Sequence, residues 1–438
     1  MALLVDTRKA RRSSRPRVCK GLPAAVLICL LALANACPAA ASGHSPCPEA
    51  VDPRAAILVI EGDGNILIEQ NEASQYVPAS TLKLLTALAA IHHWGLSHRF
   101  RTEFYMDADR NLKVKGYGDP FLVTEAWEQI AKALSANLRG FNHLILDNSY
   151  FAPGIDISGR GGSTNPYDAP PSALCANFNT VHADPDAEGR IADTEPQTPM
   201  SRAAGERCAS LGLKRGRYTF SHDEQDITRH AGEVALYFMK KAGIDMAGDI
   251  SLGPVGPGDT LVYTHVSAFT LEAMIRGMME FSNNFIANQF FLGLGAHVYG
   301  PPATLEKGIR VIDRYLRDEL GMTNVHIVEG SGLSRENRLS ASEMDGILIQ
   351  FEPYRHLLKT RDGVSFKTGR LEGIRTRVGY VETEAGIPCR FTVFQNKARP
   401  EIDPLVRCIK TRCRLHEDRQ TRAGPAAIPS ASESFPDR

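Results

Sequence analysis

Ser80 and Lys83 stand three residues apart in Pro78-Ala79-Ser80-Thr81-Leu82-Lys83, inside a stretch that is otherwise almost wholly apolar. A serine hydroxyl is a poor nucleophile until a base takes its proton. A lysine buried beside another cation gives up its charge more readily and can serve as that base near neutral pH. Two further short motifs follow in order, Ser282-Asn283-Asn284 and Lys367-Thr368-Gly369. In serine acyl transfer, a second serine such as Ser282 relays a proton between lysine and leaving group, and an amide such as that of Asn284 holds the substrate peptide. Lys367 would supply the neighbouring charge and, with Thr368, bind a terminal carboxylate, while Gly369 lets the substrate backbone come close. The backbone N–H groups of Ser80 and Arg370 would form the oxyanion hole.

Each motif alone is a weak signal. A Ser-x-x-Lys spacing recurs by chance with a solvated lysine, and a Ser/Asn pair is also what caps a helix. The apolar company of Lys83 argues against a solvated lysine, and the order of the three motifs argues against coincidence.

The elements that must carry these residues are legible in outline. Two apolar runs, 56–60 and 66–68, flank Glu61-Gly62-Asp63-Gly64 and predict a hairpin. Residues 80–91 predict a buried helix, apolar nearly all round, with Ser80 near its favourable N-terminal field. Residues 98–264 differ in texture: a strand-like Leu144-Ile145-Leu146-Asp147, a Gly/Ser/Asn-rich stretch at 158–165, a polar, loop-rich stretch at 184–229, and a helix at 233–241. Helices over 270–279, 282–291 and 305–320 follow, then a hairpin of 374–380 with 390–394 and a closing helix over 402–416. Hairpin and helix at each end predict one domain, 48–97 with 265–416, split by an inserted region, 98–264. Composition predicts a disordered tail over 423–438.

The N-terminus predicts export. Arg8, Lys9, Arg11, Arg12, Arg15, Arg17 and Lys20 precede an apolar run at 24–34 and small residues ending at Ala36 or Ala41, the layout of a signal peptide over 1–41. The run is short for a spanning helix, so the expectation is a periplasmic protein, signal removed, with no stable transmembrane anchor. Of nine cysteines, Cys47, Cys175, Cys208, Cys389, Cys408 and Cys413 would remain. An oxidising compartment permits disulfides without selecting a pairing, and the plainer alternative is buried thiols. Fifty basic residues balance fifty acidic ones, which leaves no footprint for nucleic acid. No CxxC or HExxH spacing occurs, so neither metal nor cofactor is implied.

Taken together, these residues resemble the class C low-molecular-mass penicillin-binding proteins, the D-alanyl-D-alanine carboxypeptidase/endopeptidase family of serine peptidases. Gly116-Tyr117-Gly118-Asp119-Pro120 is similar to that family's Gly-rich segment, and Pro166-Tyr167-Asp168-Ala169-Pro170-Pro171 with Asn177-Phe178-Asn179 to its proline-rich one. Gly330-Ser331-Gly332-Leu333-Ser334 with Asn337 resembles its loop before the third motif. The likeness spans about residues 50 to 410. It implies an α/β protein of α+β type. Its core would be a β-lactamase/transpeptidase-like domain, a mainly antiparallel sheet flanked by helices with a helical lobe, carrying a large inserted accessory region. The 202 residues from Ser80 to Ser282 demand such an insert.

The resemblance also implies a substrate, the stem peptides of peptidoglycan, cut at D-Ala-D-Ala or at D-Ala-diaminopimelate cross-links through an acyl-enzyme on Ser80. β-Lactams would act as inhibitors. Three departures stand out: Arg370-Leu371-Glu372 follows the third motif in place of small or hydroxyl residues, Glu329 replaces an expected Asp, and a Trp-Asp signature near 158–165 is absent. The first bears on which peptide ends are accepted. The rival readings are a serine β-lactamase or esterase on the same scaffold, and a catalytically silent peptidoglycan-binding protein.

Overall fold

Ala-Ile-Leu-Val-Ile at 56–60 is apolar at every position, the pattern of a strand covered on both faces. The computed structural model describes residues 52–191, 198–384, 386–396 and 402–423, with side chains described up to residue 414. The expected signal peptide and the tail beyond Ala423 lie outside those residues.

In chain order, β1 (Ala56–Ile60) and β2 (Ile66–Gln70) form the opening hairpin, and a 3-10 turn over Ala79–Leu82 runs into α1 (Lys83–Trp94). Next come β3 (Arg101–Met106), β4 (Leu112–Gly116), α2 (Thr124–Leu134), β5 (Gly140–Phe141), β6 (Leu144–Asp147) and β7 (Val181–Ala183). Then follow α3 (Arg202–Ser210), β8 (Gly216–Tyr218), α4 (Glu224–Lys241), β9 (Asp245–Met246), β10 (Ile250–Leu252) and β11 (Thr260–Val266). Helices α5 (Leu271–Phe281), α6 (Asn284–Tyr299), α7 (Leu305–Asp318) and α8 (Ala341–Phe351) precede β12 (Lys359–Arg361), β13 (Val364–Leu371), β14 (Ile374–Val381), β15 (Cys389–Asn396) and α9 (Asp403–Ala423).

The first sheet has six strands in the order β12-β13-β14-β15-β1-β2, antiparallel at every pairing. Strand alternation sorts its side chains. Ala56 and Leu58 join Val378, Tyr380 and Phe394 in a core shared with α1, α5, α6, α7 and α8. Ile57, Val59, Phe391 and Val393 face the other way, onto Leu405, Val406 and Ile409 of α9. Helix α1 lies at the centre of the inner core, buried at every position from Lys83 to Ala90. Each leucine buried there contributes about 1.5–3 kcal/mol, so a polar residue on this helix must be retained for another reason.

The second sheet is mixed, in the order β10-β6-β4-β3-β11. Strands β10, β6 and β4 run parallel, and β3 is antiparallel to both β4 and β11. Trp127 and Ile130 of α2 and Val234 and Phe238 of α4 cover it through Phe104, Val114 and Leu146. The two sheets meet around α6, where Gln289 donates to the Gly118 and Ser172 carbonyls and accepts from Ser172 N–H.

The stretch 184–229, expected as loop-rich, instead holds α3 and β8, and α4 begins at Glu224, well before 233. Ser201 caps α3 by accepting from Ala204 N–H, and Asp223 caps α4 by accepting from Gln225 and Asp226. Val181, Ala183, Ala204, Cys208, Phe220 and Ile227 make a small core that the polar background conceals in sequence. Helix α9 runs on to Ala423, past the expected end at 416. Cys408 is disulfide-bonded, whereas Cys175, Cys208, Cys389 and Cys413 are buried free thiols. Among the described residues, no helix is long and apolar enough to cross a membrane.

Candidate active site

Ser80 lies in the 3-10 turn, not in the α-helix expected from residue 80, and α1 begins only at Lys83. Residues i and i+3 of a 3-10 turn eclipse one another, so the tighter turn stacks the two side chains better than an α-helix would. The Lys83 Nζ lies 3.0 Å from Ser80 Oγ. Ala79 enters the turn in the left-handed region at φ 48°, a conformation that costs a residue with a β-carbon about 1–3 kcal/mol and is held by its surroundings.

Lys83 is fully buried and has two other acceptors, Asn284 Oδ1 at 2.8 Å and the Ser331 carbonyl at 2.6 Å. A neutral amine carries two N–H groups and one lone pair. The two fixed acceptors take the N–H groups, which leaves the lone pair facing the Ser80 hydroxyl. Burial holds the Lys83 pKa well below the usual lysine range, the Lys367 charge adds to that effect, and the Glu329 carboxylate opposes it in part.

Ser282 sits at the C-terminus of α5 in the left-handed region, at φ 53° and ψ 38°. It is not part of the helix expected over 282–291, and Asn283 caps α6 by accepting from Ile286 N–H. That frees Ser282 and Asn284 for the two lysines. Ser282 Oγ accepts from Lys367 Nζ at 2.7 Å, and Asn284 also donates to the Tyr167 carbonyl at 3.3 Å. Lys367 is 2% exposed, and burial lowers its pKa to about 7. Its Nζ also donates to the Thr368 carbonyl at 2.8 Å.

Lys367, Thr368 and Gly369 lie within β13, where the sequence suggested a strand only after them. Strand β12 pairs with residues 364–366 alone, so among the described residues no strand covers that edge of β13 from Lys367 onward. An extended peptide can add to such an edge. A β-carbon at Gly369 would meet the Ala79 β-carbon and the Pro78 carbonyl, each at 2.9 Å, and collide with Thr376 Oγ1. Gly332 is similarly pressed against the Ala79 carbonyl. Thr368 and Arg370 are exposed, on the opposite face of the strand from Lys367.

The D-Ala-D-Ala carboxypeptidase 3 (S13) family model matches residues 50–209 and 214–362. The chain belongs to that family. It is 24% identical over 400 residues to D-alanyl-D-alanine carboxypeptidase DacB of Haemophilus influenzae, across 76% of this chain and 82% of the relative. A D-alanyl-D-alanine carboxypeptidase of an Actinomadura species is 26% identical over 347 residues, 67% of this chain and 63% of the relative. Among solved structures, penicillin binding protein 4 of H. influenzae superposes with a TM-score of 0.66 at 20% identity, covering 83% of this chain and 96% of that one. A predatory endopeptidase of Bdellovibrio bacteriovorus superposes at 0.51 with 15% identity, covering 85% and 94%. These structural likenesses concern the fold, and the family agrees with the resemblance read from the motifs.

In this S13 family member, several polar residues around the site carry no single-motif signal. Glu329, the departure from Asp, is fully buried and accepts four hydrogen bonds. They come from Ser331 N–H at 2.8 Å, Ser331 Oγ at 2.6 Å, Ser334 N–H at 3.2 Å and Asn337 Nδ2 at 2.8 Å. It thereby fixes the loop whose Ser331 carbonyl faces Lys83. Asn288 accepts from Gly330 N–H at 2.9 Å and holds the start of the same loop. The one available clue was Asn288-Gln289 inside the apolar helix 285–294, two buried polar residues that needed partners.

Proposed function

We propose that the protein is an exported D,D-peptidase that forms an acyl-enzyme on Ser80 with peptidoglycan stem peptides. Its family places it among serine-type D-Ala-D-Ala carboxypeptidases acting on peptidoglycan. Lys83 takes the Ser80 proton as Oγ attacks the carbonyl carbon of the penultimate D-alanine. The N–H groups of Ser80 and Arg370 hold the oxyanion. Ser282, poised by Lys367, passes a proton to the departing amine as the peptide C–N bond breaks, and Lys367 with Thr368 receives the leaving residue's carboxylate. Water then hydrolyses the ester and restores Ser80. The observation that carries this reading is the environment of Lys83, a buried amine whose two fixed acceptors leave its lone pair directed at Ser80.

The same geometry supports acylation by β-lactams, and the H. influenzae penicillin binding protein 4 has also been solved in complex with one. The reading includes a periplasmic location and a penicillin-binding domain, 48–97 with 265–416, divided by the insert. The test supplies mature protein with a stem pentapeptide ending in D-Ala-D-Ala and, separately, with a cross-linked dimeric muropeptide. Release of D-alanine or of monomers by wild type and not by Ser80→Ala is the expected result. Turnover of penicillin with neither peptide cleaved would favour the β-lactamase rival.

A further inference from the structure

Thr368, Arg370, Arg375 and Arg377 share the outer face of the β13–β14 ladder, Thr368 opposite Arg377 and Arg370 opposite Arg375. With Arg407 of α9 they line a cavity of about 600 Å³. Its described lining holds four guanidinium groups and one carboxylate, Asp403, which lies 2.7 Å from Arg377. Like charges directly opposite one another destabilise a ladder, so this arrangement raises the folding cost unless an anion offsets it. Arg375 is anchored over the turn, donating to the Leu371 and Ile374 carbonyls, and Arg377 lies over the Phe366 ring with its Nε buried and unpartnered. Arg370 and Arg407 are exposed, and their guanidinium groups have no hydrogen-bond or ion-pair partner among the described residues. Two forks are therefore held in place and two are free to close on a ligand.

The cavity begins at Thr368, on the other face of β13 from Lys367, at the edge that no described strand covers. A released D-alanine carries one carboxylate, which Lys367 and Thr368 already meet, and it is far smaller than the space beyond. A leaving group that continues past that carboxylate along β13 meets this basic cavity. We infer that the cavity is the leaving-group subsite for the acceptor stem peptide of cross-linked peptidoglycan, whose further carboxylates pair with Arg370, Arg375 and Arg407. This rests on the D,D-peptidase reading above. It gives the Arg370 departure a purpose, preference for cross-links over free pentapeptide ends.

The test uses the full mature chain and three substrates: the pentapeptide, the cross-linked dimer, and a dimer amidated at every acceptor carboxylate except the one beside the scissile bond. Arg407→Gln should lower the dimer-to-pentapeptide ratio of kcat/KM about fivefold, through KM, as expected for one charge pair near the surface. Arg407→Lys should recover part of it. Amidation should lower wild-type kcat/KM on the dimer at least as much, and should cost Arg407→Gln less than it costs wild type. An unchanged ratio in Arg407→Gln, or equal losses on both substrates, overturns the subsite while the peptidase reading stands. A wild-type protein that takes penicillin and releases D-alanine but leaves the dimer intact does the same. A protein that neither takes penicillin nor cleaves either substrate overturns the peptidase reading and the subsite with it.

Discussion

Glu329→Gln separates the charge that acts on Lys83 from the shape of the loop that holds it. The carboxylate meets two donors on each oxygen, Ser331 N–H and Oγ on one, Ser334 N–H and Asn337 Nδ2 on the other. A glutamine offers one oxygen and one NH₂. Its better orientation turns the NH₂ toward Ser331, whose hydroxyl rotates to accept, and the Ser331 N–H is left unpaired. An unpaired buried donor costs about 1–3 kcal/mol, and the remaining bonds lose their charge assistance, so the total is roughly 2–4 kcal/mol. At roughly 2.1 cal/mol/K of unfolding entropy per residue, a chain of this size should melt about 2–4 °C lower.

The same change has a second signature. In the proposed mechanism acylation needs neutral Lys83, so its rate should rise as pH passes the Lys83 pKa. The Glu329 charge holds that pKa up against burial and Lys367. Removing it should move the acid limb of the penicillin acylation profile to lower pH, even as stability falls. Melting curves and second-order acylation rates across pH, on wild type and Glu329→Gln, measure both. A lower melting point with an unmoved or raised acid limb would refute the electrostatic link between Glu329 and Lys83.

Lys367 should set the other limb. Its charge is lost as pH rises through about 7, so kcat/KM for a carboxylate-ended peptide should fall about tenfold per unit above that point. Lys367→Arg, which stays charged, should abolish that fall whatever its absolute rate. Gly369→Ala presses a methyl group onto Ala79 and Pro78; it should cost about 1–3 kcal/mol of stability and slow acylation, read by denaturant midpoint and labelling rate. Asp345 holds the buried Arg390 guanidinium through bonds of 2.8 and 3.2 Å. Asp345→Ala leaves that charge unpaired and should cost about 3–5 kcal/mol in urea unfolding.

How far the sequence reached depends on how local each constraint is. Lys83 is legible because a lysine among leucines and alanines on a buried helix has no solvated face to occupy. The hairpin and the closing helix are legible from alternation and periodicity within a few residues. The stretch 184–229 is not, because its short elements draw stability from two caps and a six-residue core assembled across 181–227. Ser282 illustrates a finer limit. Its neighbours suggest a cap, yet Asn283 takes that role and leaves Ser282 in a left-handed turn pointing at Lys367. Arg375, Arg377 and Arg407 carry no signal as a group, since only the register of β13 on β14 and the docking of α9 bring them together with Arg370.

Intact-protein mass spectrometry after exposure to benzylpenicillin tests the central claim most directly. Wild type should gain the mass of one intact penicillin, mapped by proteolysis to the peptide containing Ser80, and Ser80→Ala should gain none. No adduct on correctly folded wild type, or an equal adduct on Ser80→Ala, would contradict the assignment of Ser80 as the nucleophile activated by Lys83.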